Sequence, residues 1–241
     1  MEPTQNTNSS KENAQMIPMA IVAAGALIAG AIYFGGSSTG GKLIQGDPSS
    51  LLGNNTSIEV EDVSDRDHIR GNRDAEVVIV EYSDLECPFC KAFHNTMQQV
   101  MDTYEDNQVA WVYRHFPIAQ LHSKAIKEAE ATECAAEQGG NDAFWKYTDR
   151  LFEITNSNDS LDLAQLPQIA SFVGLDVTAF NNCLSSGKYT KQIEEDVKEA
   201  AKAGAQGTPY SIAITRDGQK VVINGAEPFQ TVKSKIDSLL K

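Results

Sequence analysis

The sequence predicts a mixed α/β domain, and three stretches carry that prediction. Val77-Val78-Ile79-Val80 is β-branched throughout, as a strand buried on both faces would be. It is followed by Phe93, Met97, Val100, Met101 and Tyr104 at helical spacing, and then by a second strand pattern over Gln108–His115. A strand, a helix and a strand joined over this length imply a right-handed parallel crossover, so both strands end on one sheet edge, where α/β proteins place their chemistry. Near the C-terminus, Ser211–Thr215 and Lys220–Asn224 flank the turn Arg216-Asp217-Gly218-Gln219, an antiparallel hairpin pattern. Between these two parts lies a long stretch with helical patterning only.

In chain order, residues 1–15 are polar and are expected to be disordered. Met16 to Phe34 carries no charge. As a helix it would span roughly 28 Å, close to the ~30 Å hydrocarbon core of a bilayer. A retained transmembrane anchor is the favoured reading of 16–34. A cleaved signal peptide, using Ala24-Gly25-Ala26 or Ala29-Gly30-Ala31, and a buried core helix are the alternatives. Residues 35–57 are rich in Gly, Ser and Asn and read as a flexible linker with an r.m.s. reach of about 25–30 Å. The folded domain is expected over 58–241, beginning with a short extended piece around Ser57-Ile58-Glu59-Val60. The formal net charge of −13 over 241 residues argues against a nucleic-acid partner, which needs clustered Lys and Arg.

From His122 to Ala203 the pattern is helical, with breaks at Gly139-Gly140, Asn156-Ser157-Asn158-Asp159-Ser160, Gly174 and Gly187. Phe144, Tyr147, Leu151 and Phe152 mark one helix; Leu161–Val173, Val177–Leu184 and Tyr189–Ala203 mark others. Pro228 opens a last helix whose Phe229, Val232, Ile236, Leu239 and Leu240 form one apolar stripe facing the core.

The chemistry sits at the first strand–helix junction, Glu81-Tyr82-Ser83-Asp84-Leu85-Glu86-Cys87-Pro88-Phe89-Cys90-Lys91. Pro88 suits the first helical position, which needs no backbone N–H, leaving Cys87 as the N-cap. There the unpaired N–H groups and the helix dipole favour a thiolate. Cys90 lies one turn later and can close a disulfide with Cys87, so the pair reads as a reversible dithiol. The competing reading is half of a zinc site, which needs a second ligand pair. Cys134 and Cys183 stand apart, and His68, His94, His115 and His122 form no pair at metal spacing. No metal, nucleotide or flavin signature is present, and no cofactor is expected. Arg114, His115 and Pro117, at the end of the second strand, fall on the dithiol's sheet edge; a structural role for the Arg and His is favoured over a catalytic one. A dithiol behind an export segment belongs in an oxidising compartment, which puts the N-terminus inside and the domain outside the cell membrane, as a single-pass protein.

Glu81 to Cys90, then Arg114-His115-Phe116-Pro117, then Gly207-Thr208-Pro209 before a strand, resemble the DsbA-like branch of the thioredoxin superfamily over roughly residues 60–241. The resemblance implies a thioredoxin fold with a helical insertion at about 120–203. It implies a thiol–disulfide oxidoreductase acting on reduced or misfolded exported proteins, with Cys87 the exposed nucleophile and Cys90 its buried partner. It places a cis Pro209 beside the dithiol, with Thr208 offering its backbone to a client peptide. Glu81 matches the family's buried acidic residue, able to accept a proton from Cys90; a surface carboxylate is the alternative. Cys134 and Cys183 match cysteines of related chains, which favours a structural disulfide over two reduced, buried thiols. An integral-membrane quinone-linked oxidase is the implied regenerating partner. Phe89 departs from the strongly oxidising relative, which has His there, and leaves direction open between oxidase and reductase or isomerase. A tethered client-binding or chaperone module without turnover is the reading from another class. With no dimerisation segment in view, a monomer is expected.

Overall fold

The computed structural model describes residues 58–240. The polar terminus, apolar span and linker expected over 1–57 lie outside the described residues. Five strands form one sheet: β1 (His68–Arg70), β2 (Val77–Ser83), β3 (Val109–His115), β4 (Tyr210–Thr215) and β5 (Lys220–Asn224), in the order β1-β3-β2-β4-β5. β2 and β3 run parallel, with Val77 opposite Val109 and Ser83 opposite His115. Helix α1 (Pro88–Thr103) makes the crossover between them. β4 is antiparallel to β2 and to β5, so the expected hairpin closes this side of the sheet.

The extended piece expected around Ser57-Ile58-Glu59-Val60 joins no sheet over its described residues, 58–60. Ile58, Val60 and Val63 instead lie irregularly on one sheet face, and the edge strand is β1, paired antiparallel to β3. Its His-Ile-Arg sequence carries no strand signal. The flanking side chains are satisfied by distant groups: His68 by Glu133 at 3.0 Å and Arg70 by Asp149 at 2.8 Å.

Alternation along β2 and β3 sorts the two faces. Val77, Ile79, Val109, Trp111 and Tyr113 point into the larger core, with Phe93, Met97 and Val100 of α1 and Val232 and Ile236 of α6 (Phe229–Leu239). Val80, Tyr82, Val112 and Ile212 point the other way, against Ala200 and Ala203.

The helical block comprises α2 (Ala125–Ile154), a 3₁₀ turn (Leu163–Gln165), α3 (Leu166–Phe172), α4 (Val177–Ser186) and α5 (Thr190–Lys202). α2 is broken at Gly139-Gly140, where Gly140 takes φ +63°, a conformation that favours glycine. Asp176 caps α4 by accepting from the Ala179 N–H at 2.7 Å. Cys134 of α2 and Cys183 of α4 form a disulfide with a Cα–Cα distance of 5.8 Å. Among the described residues, no helix is long and apolar enough to cross a membrane.

Candidate active site

β2 ends at Ser83, and Asp84-Leu85-Glu86 turns the chain into α1. Cys87 is the N-cap of that helix and Pro88 follows at its first turn; no side chain caps the end. The backbone N–H groups of Phe89 and Cys90 are therefore free to face the Cys87 sulfur. Its thiol is pushed down to about 6, chiefly by the Cys90 thiol donating to it, then by those two N–H groups and the Thr208 side chain, against the opposing effect of burial. Cys90 is pushed well up, first by burial, then by the neighbouring Cys87 thiolate and the Glu81 carboxylate. The two sulfurs are free thiols within reach of each other and have opposite tendencies to ionise.

The expectation that Cys87 is openly exposed is corrected: its exposure is 5%, against 0% for Cys90. The Thr208 segment is one cover. The Thr208–Pro209 peptide is cis, and the Thr208 carbonyl accepts from the Cys87 Sγ at 3.6 Å. The Thr208 hydroxyl is buried without an oxygen or nitrogen partner and acts on both sulfurs. Phe89, by contrast, is 64% exposed and brings neither charge nor ring N–H to the site.

Glu81 is fully buried on the sheet face that carries Val77 and Ile79, so the surface alternative does not hold. The Trp111 Nε1–H donates to its Oε2 at 2.8 Å. Burial raises its carboxyl to about 7, with Ser83 and Trp111 opposing. Arg114 and His115 share the dithiol's sheet edge, but both serve the fold. Arg114 points to the opposite face, where it donates to Asp67 at 2.7 Å and to Glu199. His115 meets Glu133 at 3.0 Å, and Glu133 also holds His68. Pro117 lines an apolar cleft of about 390 Å³ with Phe116, Ile118, Ile193 and Val197.

A family profile described as thioredoxin matches residues 63–238. The structure resembles that of DsbA2 from Pseudomonas aeruginosa at 30% identity and a TM-score of 0.60, over 72% of this chain and 94% of that one. The chain belongs to the DsbA-like thiol–disulfide oxidoreductases of the thioredoxin superfamily. BdbD from Bacillus subtilis shares the fold at 21% identity and a TM-score of 0.63, over 72% of this chain and 92% of that one. In sequence, the DsbA-like chain is also 38% identical over 145 residues to the Na(+)/H(+) antiporter NhaA 3 of Salinispora tropica, a match over 60% of this chain. It spans about a fifth of the length of the curated antiporters it matches: 21% of that one.

Two further features of this DsbA-like site have no sequence signal. Asp84, three residues before Cys87, is buried; its Oδ1 accepts from the Glu86 N–H and its Oδ2 from the Ile118 N–H, both at 2.8 Å. The same Oδ2 pairs with His122 Nδ1 at 2.8 Å. Glu86 and Glu128 are both buried, and none of their carboxyl oxygens has a hydrogen-bond partner. Burial, with the neighbouring Glu86 and Asp84 carboxyls, raises Glu128 to about 10, so Glu128 is protonated at neutral pH. The partners lie 38 and 42 residues apart along the chain, at no repeating spacing; the β3–α2 connection brings His122, and the first turn of α2 brings Glu128.

Proposed function

We propose that this protein introduces disulfides into exported proteins, donating the Cys87–Cys90 disulfide to reduced clients outside the cell membrane. The observation that carries the reading is the split between the two sulfurs, Cys87 lowered to about 6 and Cys90 raised. A client thiolate attacks Cys87 Sγ, forming the mixed disulfide and expelling Cys90 as a thiolate. Cys90 holds a proton tightly, and Glu81, with its carboxyl at about 7 and its charge acting on Cys90, is suited to supply it and to take it back on reoxidation. A second client thiolate attacks the client sulfur, and Cys87 leaves as the thiolate. Client dithiol becomes disulfide while the enzyme disulfide becomes dithiol. A thiol at about 6 is about nine-tenths ionised at pH 7, so Cys87 is a good leaving group and the reduced enzyme is stabilised, both of which favour donation.

The cis Thr208–Pro209 segment beside Cys87 supports an edge on which an extended client could pair its backbone. In this reading the enzyme is a monomer, residues 16–34 hold it in the membrane, residues 35–57 tether the catalytic domain, and a quinone-linked membrane oxidase restores the disulfide. The deciding experiment equilibrates the Cys87–Cys90 pair with glutathione and follows oxidation of a reduced, unfolded client. The expected outcome is a pair more oxidising than glutathione, with turnover lost in Cys87→Ser. A strongly reducing pair that still turns over would make the protein a reductase or isomerase. Client binding without turnover would leave only a tethered holding module.

A further inference from the structure

We propose that His122, paired with Asp84 and placed from the β3–α2 connection, supplies the positive charge that stabilises the Cys87 thiolate. This rests on the oxidoreductase activity of the dithiol and holds whichever way electrons flow. Asp84 is bonded directly into the dithiol turn. Its carbonyl accepts the Cys87 N–H at 3.2 Å, and its own N–H reaches the Cys90 Sγ at 3.4 Å. Its carboxylate is buried on the same turn, and a buried carboxylate near a thiol opposes ionisation of that thiol, because like charges repel across a poorly solvated space. His122 Nδ1 lies 2.8 Å from that carboxylate, and the charges of His122 and Cys87 act on each other.

The other charged groups around His122 favour the same protonation state. Asp84 faces it from the β2–α1 turn, Cys87 from the start of α1 and Asp159 from the connection after α2. Asp159 is itself fixed by the Ser123 and Lys124 N–H groups, both at 3.0 Å. The nearby cation, Lys124, is drawn away to the carbonyls of Asp159 and Leu161, at 2.6 and 2.7 Å. Glu128, raised to about 10, is uncharged at neutral pH and sets no charge against His122. The His122 imidazole is accordingly raised above its ordinary value: burial opposes this, but the hydrogen bond and charge of Asp84 and the charges of Cys87 and Asp159 prevail. Phe89, inside the dithiol turn, has no charge to offer the thiolate, whereas His122 supplies one from a separate segment.

The charge on Cys87 exists only when the pair is reduced, so His122 binds its proton more tightly in the reduced than in the oxidised protein. The test uses both the natural protein and variants. Imidazole resonances of the full chain, titrated in each redox state, are expected to show His122 losing its proton at higher pH when the pair is reduced. In His122→Asn the side-chain amide keeps a donor for Asp84 but carries no charge. The Cys87 thiol, followed by thiolate absorbance, is then expected to need about tenfold lower proton concentration to ionise. The equilibrium constant against glutathione is expected to fall about tenfold, about 30 mV. His122→Lys is expected to recover much of both. Identical His122 titrations in the two redox states would overturn the proposal, as would an unchanged Cys87 thiol in a folded His122→Asn. If the natural protein proves strongly reducing while His122 still responds to redox state, the direction of the proposed function fails and this inference stands.

Discussion

Replacing Glu81 by Gln removes a carboxyl buried in the core beside the dithiol, and its effect on stability follows from the environment of that group. An ordinary glutamate titrates near 4.5; burial among Val77, Ile79 and Trp111 lifts this one to about 7. At about 1.36 kcal/mol per pH unit, that difference corresponds to about 3 kcal/mol, the cost of keeping the carboxylate charged inside the fold. A carboxyl whose folded value is raised contributes its full stability below pH 4.5 and loses it progressively up to about pH 7. The difference between Glu81→Gln and the parent is therefore expected to move by about 3 kcal/mol in favour of the variant between pH 4.5 and pH 8. Other buried acids, such as Asp196, are common to both proteins and cancel in the difference. Urea unfolding measures it best in a Cys87→Ser/Cys90→Ser background, which removes the two thiol titrations and leaves the Cys134–Cys183 bond intact. A stability difference that stays constant across this pH range would refute the claim that Glu81 titrates in a dry site.

Removing the structural disulfide as Cys134→Ala/Cys183→Ala frees a loop of about 50 residues in the unfolded chain and is expected to cost up to about 4 kcal/mol, read as a lower urea midpoint; a loss under ~1 kcal/mol would mean that the bond constrains little. Gly71→Ala is expected to destabilise by at least about 1–2 kcal/mol, because Gly71 has φ +91° and an added Cβ would stand 2.8 Å from the Val109 carbonyl oxygen, which β3 cannot withdraw. Thermal unfolding of that variant gives the answer, and an unchanged melting temperature would contradict it.

Elements with a strong local pattern were legible in advance. The β-branched run of β2 and the apolar spacing of α1 fixed the crossover, and Pro88 fixed the helix start with Cys87 as its N-cap. The break in α2 at Gly140 and the Gly218 hairpin turn were visible because glycine takes their positive φ without strain. β1 was not legible, since three residues with two polar side chains form a strand only when Glu133 and Asp149 arrive from α2. Nor was the Cys87–Thr208 contact derivable from spacing, which spans 121 residues and had only the family resemblance to suggest it.

By itself, then, the sequence determined which residues can exchange electrons: a thiol with free N–H groups behind it and a second thiol one turn away is a property of local backbone geometry. The tertiary structure decided how those sulfurs are tuned. Charge acts through space rather than along the chain, so Glu81 becomes a buried acid, Asp84 acquires His122, and Cys87 is covered by Thr208 only after the sheet and the helical block have closed around them.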